Sequence, residues 1–412
     1  MTEGEFYRAA HRACPPPSTG ELVSDPRPTP PARFSPLHDV HVAAGAAFTD
    51  FAGWQMPVRY TSDLAEHRAV RTAAGLFDLS HMAEVGVTGP DAGAFLDYAL
   101  AGRLSGIAVM QAKYSLLLNE AGGVVDDLVV YRTGEHEFLV VANAGNREAA
   151  VQALTERATE FEAVSVEDVS DRIALVAVQG PAARAILEAT EGLATDESLS
   201  SVRYYRTTSA TFRGGSVLIA RTGYTGEDGF ELYVDAPDAP ELWGALAAAG
   251  QGHGLIPAGL AARDTLRLEA GMPLYGHELG PDTFPAQAGL GGVVALGKAS
   301  DFVGRRASEH GPDPAARVLV GLVSEGRRAG RAGYPVYDSA DAESVFEALE
   351  GMVSPAGVIT SGALSPTLGH PIAMAYVDPS VAAVGTGLFV DVRGTRIPAT
   401  VVRLPFYTRA AL

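Results

Sequence analysis

One cysteine in 412 residues, Cys14, leaves this chain without the means for an intrachain disulfide, a CxxC redox pair or a zinc site built on several thiolates. Long apolar runs are missing as well. None approaches the ~18 residues that a bilayer span requires, which excludes a membrane span. Positive charge is scarce: 31 Lys and Arg stand against 49 Asp and Glu, for a net charge of −18. A surface this acidic repels phosphate backbones and argues against nucleic-acid binding, but it leaves room for a small anionic ligand held by a few placed arginines. The amino terminus has no basic patch followed by an apolar core, so no secretory signal is expected and the cytoplasm is the expected compartment. There is no GxxxxGK[ST] and no GxSxG, and Gly223, Gly226 and Gly229 recur at the wrong spacing for a dinucleotide-binding loop. His38 and His41 stand three apart without an HExxH partner set, which favours a core or surface role; no metal is expected.

What remains is an ordinary globular composition, 47% apolar and 19% charged, with 46 Gly and 26 Pro to make turns. The length suggests two or three domains. Residues 1–35, rich in proline from Pro15 to Pro31, have little to bury and read as a disordered tail. Further on, Lys113 to Leu118 reads as a strand, 119–123 as a turn, and Val124 to Tyr131 as the returning strand. Phe138 to Ala142 is a third strand, followed by a helix from Arg147 to Phe161. A second helix starts near Asp238 with Pro240 in its first turn, turning Leu242, Trp243 and Leu246 inward. From Ala316 onward, short alternating runs separated by Gly, Pro and Asp suit a small antiparallel barrel. The class is α+β.

Three clusters carry chemistry. In Val124 to Tyr131, alternation puts Asp127 on one face with Val125, Val129 and Tyr131, and Asp126 on the other with Leu128 and Val130. The turn brings Asp127 roughly opposite Tyr114 or Ser115. A carboxylate in an apolar strand is disfavoured, so two readings compete. Either one Asp caps the turn while the other is solvated, or a carboxylate sits in a Tyr-lined pocket to bond a polar ligand. In the second cluster, Arg221 to Tyr233, a Gly-rich loop feeds a strand on which Glu231 shares a face with Tyr233. In the third, Gly259 to Met272, helical spacing groups Leu260, Arg263, Arg267 and Ala270; Arg263, Asp264 and Arg267 could equally form an exposed ion-pair ladder.

Taken in order with Phe51-Ala52-Gly53-Trp54-Gln55-Met56-Pro57, Glu66 to Arg71, Gly75 to Met82 and Thr360 to Leu368, these stretches resemble the T-protein (aminomethyltransferase) family of the glycine cleavage system. The resemblance runs from about Leu37 to Arg409. It implies a ring of three domains around a central cavity for tetrahydrofolate, with antiparallel sheets flanked by helices and a C-terminal β-barrel. The divisions would fall at 36–85 plus 170–310, 86–169 and 311–412. It implies a lipoyl-bearing H-protein as partner, with ammonia and 5,10-methylenetetrahydrofolate as products. By matching position, Asp127 would stand near the reacting folate nitrogens and Glu231 at the pterin edge. Arg263 would be another folate contact, Tyr114, Tyr131 and Tyr224 aromatic walls, and Asn143 and Arg409 further contacts. Asp127 could serve either by removing a proton or by stabilising a cationic intermediate. Two other readings share the fold: a folate-dependent demethylase of small amines or sulfonium compounds, and a non-enzymatic folate-binding protein of iron–sulfur assembly. The latter's signature cysteine is absent here. Two basic segments, Lys298 with Arg305 and Arg306, and Arg327, Arg328 and Arg331, are candidates for a docking rim toward an acidic partner.

Overall fold

The computed structural model describes residues 32–339 and 354–409, and those from Arg33 onward belong to one compact unit. Regular structure reaches back to Arg33–Phe34, which pairs in parallel with Trp54–Gln55, two residues before the expected start at Ser35. The proline-rich stretch to Pro31 and Cys14 lie outside the described residues.

Two sheets dominate. The first has five antiparallel strands in the order Gln111–Leu118, Val124–Gly134, Glu137–Ala142, Ala83–Thr88 and Ser165–Asp168. Its first hairpin turns where expected, and the reason is local. Asn119 accepts the Gly123 amide at 2.9 Å, and Gly122 takes a φ of +87° that glycine adopts without strain. At Gly123 a Cβ would come within 1.7 Å of the Pro281 carbonyl, so the segment packed beneath the turn also demands glycine. The second sheet has seven strands: Leu193–Thr195, Thr207–Phe212, Gly215–Ala220, Gly229–Asp235, Ile173–Gln179, Ala74–Asp78 and Leu255–Pro257, with only the last pair parallel.

Alternation along these strands sorts side chains into layers. One face of the five-stranded sheet (Val85, Val87, Leu128, Val130, Val140) packs under the helices Ala92–Ala99 and Arg147–Ala158. One face of the seven-stranded sheet (Val176, Val178, Ile219, Leu232) packs under Ala183–Ala189 and Ala239–Gly250. The remaining faces meet each other, joining Tyr131, Val141 and Ala112 to Phe77, Leu175, Ala177 and Tyr233 in a single core. The helix Arg147–Ala158 stops three residues short of the expected Phe161, whose ring still caps the layer against Phe95, centroids 5.5 Å apart.

The C-terminal barrel closes in the strand order Val318–Ser324, Pro371–Val377, Gly357–Leu364, Pro335–Tyr337, Gly387–Val392 and Thr395–Val402. Pro335–Tyr337, only three residues long, carries too little alternation to be read from sequence. Leu268, at the end of the helix Leu260–Glu269, packs on Ala363, Ile372 and Met374 of the barrel. The fold is therefore α+β with antiparallel sheets, flanking helices and a closed barrel. Among the described residues no helix is long and apolar enough to cross a membrane.

Candidate active site

Asp127 lies in Val124–Gly134, the long second strand of the five-stranded sheet, facing the second sheet. The register places Leu116 directly opposite it, not Tyr114 or Ser115. A bulge at Leu117/Leu118 leaves Val125 unpaired and shifts the expected alignment. Tyr114 nonetheless reaches Asp127 diagonally, along the same face, and its hydroxyl donates to Oδ2 at 3.0 Å. Neither aspartate caps the turn: Asn119 does the capping, Asp127 is half-buried and Asp126 is fully buried.

Asn143 follows the third strand of this sheet and opens the short 3-10 turn Ala144–Asn146. Its Nδ2 lies 2.9 Å from Asp127 Oδ1, 2.8 Å from Asp126 Oδ1 and 3.0 Å from the Asp127 carbonyl. Its backbone amide donates to Asp126 Oδ2 at 3.0 Å, and Asn146 Nδ2 donates to Asp126 Oδ1 at 2.7 Å. Burial pushes Asp126 up to about 7, with the neighbouring Asp127 charge adding to it and the asparagine donors opposing it. Burial also raises Asp127, against the stabilising Tyr114 and Asn143 hydrogen bonds. The Tyr114 hydroxyl is driven far up by burial and by the Asp127 charge, so it remains a donor.

Facing this group, the strand Gly229–Asp235 turns Phe230 and Leu232 into the core beneath its helices and presents Glu231 on the opposite side, as alternation requires. Glu231 Oε2 accepts from Tyr131 at 3.3 Å and from Thr222, and the Tyr233 hydroxyl donates to that of Tyr131 at 3.0 Å. Among the described residues nothing donates to Glu231 Oε1. Arg263, on the first turn of the helix Leu260–Glu269, lies with its guanidinium carbon 4.8 Å from the centre of the Tyr224 ring. Its Nη1 is buried with no acceptor. Burial lowers the Arg263 pKa, and the Glu231 charge partly offsets this. Tyr224 is fixed by its hydroxyl donating to the Pro273 carbonyl. The two halves share one space: Tyr205 is raised by burial and by both Glu231 and Asp127, and Tyr224 responds to Asp127 and Arg263.

Seven of the eight residues singled out from sequence thus converge: Tyr114, Asp127, Tyr131, Asn143, Tyr224, Glu231 and Arg263. Arg409 lies 3.6 Å from Asp228, itself held by Arg221, and its charge and that of Glu231 both act on Tyr204. The exposed-ladder reading of the helix fails. Arg267 is 1% exposed, bonded to Glu278 at 3.1 Å and to Ser361 as well as Asp264, and Arg263 pairs with neither. Sequence reasoning missed Asn146 and Tyr205, and placed Tyr233 on the face of Glu231 without giving it or Thr222 a role. The Asn-Ala-Gly-Asn run at 143–146 was the legible signal, since two asparagines three apart at a helix start are poised to serve neighbouring backbone and carboxylates. One basic segment is also occupied. Lys298 is buried, donates to the carbonyls of Asp97, Leu100 and Gly102, and is pushed by burial down to about 8. Arg305 serves the carbonyls of Leu296, Lys298 and Ser300, whereas Arg327 and Arg328 are exposed. Among the described residues no cluster of His, Cys, Asp and Glu could hold a metal ion.

Residues 37–298 match the family model described as the GCVT N-terminal domain, and residues 317–408 match the glycine cleavage T-protein C-terminal barrel domain. The chain is 58% identical to the aminomethyltransferase of Cutibacterium acnes and 55% identical to that of Saccharopolyspora erythraea, in each case across 92% of this chain and 99% of the other. Among solved structures it is similar to the glycine cleavage system aminomethyltransferase T from Bartonella henselae. That match has 38% identity and a TM-score of 0.80, covering 91% of this chain and 98% of that one.

Proposed function

The chain belongs to the glycine cleavage T-protein family, and from that premise we propose that it is a tetrahydrofolate-dependent aminomethyltransferase. Its donor would be the aminomethyl-dihydrolipoyl arm of an H-protein, and its products 5,10-methylenetetrahydrofolate, ammonia and the dihydrolipoyl H-protein. The observation that carries the reading is a buried guanidinium nitrogen, Arg263 Nη1, with no acceptor among the described residues, on a side chain close enough to feel the charge of Glu231, whose Oε1 receives no hydrogen bond from them. An amino-pyrimidinone edge offers two N–H donors beside a carbonyl, and this pair supplies the complementary acceptor and donor. Tetrahydrofolate when bound supplies the nitrogens that accept the one-carbon unit.

The residues of this chain then divide the work. Glu231 and Arg263 hold the ring edge, and Tyr224 and Tyr205 line the space around it. Asp127, oriented by Tyr114 and Asn143, places a negative charge beside the reacting nitrogens. Such a charge can stabilise the cationic carbon that departure of ammonia leaves behind, or take the proton that the folate nitrogen sheds as its bond to that carbon forms. Burial raises the Asp127 pKa above that of an ordinary carboxylate, which makes it the stronger proton acceptor. Arg409, at the Asp228–Arg221 pair, serves the outer edge of the site in this reading. The cytoplasm is the matching compartment, and the three-domain division anticipated from sequence accompanies the proposal.

Turnover decides it. Purified protein supplied with aminomethylated H-protein and tetrahydrofolate should release ammonia and 5,10-methylenetetrahydrofolate, with no turnover of dimethylglycine or methylated sulfonium compounds. Turnover of a small methylated compound without any from H-protein would replace this reading with a demethylase.

A further inference from the structure

Asp126 has no face toward the site, yet it is bonded more fully than the residue that does. It is 0% exposed and accepts three hydrogen bonds, two from Asn143 and one from Asn146. The same Nδ2 that serves it also serves Asp127, so a single amide with two hydrogens spans two carboxylates. An asparagine rotor pulled only by Asp127 would be free to swing toward the open side. With Asp126 behind it and its own backbone amide pinned to the same carboxylate, it has one orientation. The other groups at hand are Tyr275, which responds to both aspartates, and Asn146, which bonds Tyr275 as well.

We propose that Asp126 is a positioning residue for the transfer reaction, holding the Asn143 amide so that Asp127 is fixed in direction and its protonation is tied to that of a second carboxylate. The inference rests on the aminomethyltransferase reading for its activity readout alone. Two carboxylates linked through one donor lose their protons as a pair, in steps that belong to neither residue singly. Asp126, which titrates near neutrality, then modulates the charge at Asp127 over the working pH range.

The test uses Asp126→Asn and the exchange variant Asp126→Asn with Asn146→Asp, which returns a carboxylate to the same amide cluster. In Asp126→Asn we expect kcat to fall tenfold or more and KM for tetrahydrofolate to stay within threefold. The kcat/KM profile should lose its step near neutral pH, because Asp126 is the group that ionises beside the Asp127 charge. In the free protein, 13Cγ NMR of labelled aspartate should show coupled two-step titration in the wild type and a single step for Asp127 in the variant. The exchange variant should regain at least threefold in kcat. An unchanged kcat and pH profile would overturn the proposal. So would parallel loss of kcat and folate binding without a pH shift, or failure of both variants to fold, since each marks a purely structural residue. A wild type that binds folate but forms no product from H-protein would refute the functional reading instead, and the NMR titration would still decide the coupling.

Discussion

Glu269 and Asp127 are both carboxylates withdrawn from water, and the protein treats them in opposite ways. Glu269 ends the helix Leu260–Glu269 and is surrounded by donors. Arg71 reaches it at 2.8 Å, Thr367 at 2.7 Å through its hydroxyl and 3.0 Å through its amide, His67 at 3.2 Å, and Ser365 closes the set. Burial alone would raise Glu269, but the His67, Ser365 and Arg71 interactions overcome it and hold the carboxyl at about 2. Arg71 also pairs with Glu227 at 3.0 Å and lies over the Tyr407 ring, so the knot ties the helices at 63–72 and 260–269 to the barrel loop at 365–367 and to the chain near its end. Asp127 has one tyrosine and a shared amide, no cation bonded to it among the described residues, and a raised pKa. A carboxylate given more partners than it needs serves the fold. One given fewer is free to meet a ligand.

The contrast can be broken at either end. The largest stability change is expected at the knot. Glu269→Gln removes the charge facing Arg71, and breaking a buried pair costs about 3–5 kcal/mol. Arg71 keeps Glu227, so about 3 kcal/mol is expected from urea unfolding at pH 7, at the low end of that range. The pH dependence follows from the depressed pKa. The stabilisation is fully present above the ordinary Glu value, and it is lost as pH falls toward about 2. Subtracting the variant's pH–stability curve from the wild type's should reveal that acid limb, and overlapping curves would mean the knot is not what holds the barrel.

A smaller effect is expected where the ligand is held. Glu231→Gln and Arg263→Lys each remove a charge-assisted hydrogen bond of roughly 1.5–3 kcal/mol, so tetrahydrofolate should bind tenfold or more weakly by calorimetry. The unfolding midpoint of Arg263→Lys should barely move, since Arg263 Nη1 has no acceptor among the described residues. Unchanged affinity in both variants would put the ring elsewhere.

How far the sequence revealed this contrast depended on distance along the chain. Period-two alternation was enough to set Asp127 with Tyr131 and Glu231 with Tyr233, because a strand offers only two faces. The partner of Asp127 was only half legible. Tyr114 was named, but a bulge beyond the register moved Leu116 into the position opposite. Asn143 and Asn146 lie 17 and 20 residues from Asp126, across a strand and a turn, so the Asn-Ala-Gly-Asn run marked two donors without showing which carboxylate they serve. The Glu269 knot was invisible for the same reason, joining residues 98 and 198 positions apart. Local preference could not show that Arg267 is buried or that Lys298 is held by three carbonyls, since both facts are set by what packs over them.

The central claim is that Asp127 is left under-bonded in order to act on the reaction, and Asp127→Asn tests it most directly. The substitution keeps the volume and removes the charge. Steady-state turnover with saturating tetrahydrofolate and aminomethylated H-protein should fall roughly 10²–10⁴-fold, in the range of a lost acid–base group, with the urea midpoint at or above that of the wild type. Turnover within a few-fold of wild type, or a loss of activity matched by a loss of stability like that of Glu269→Gln, would contradict the account.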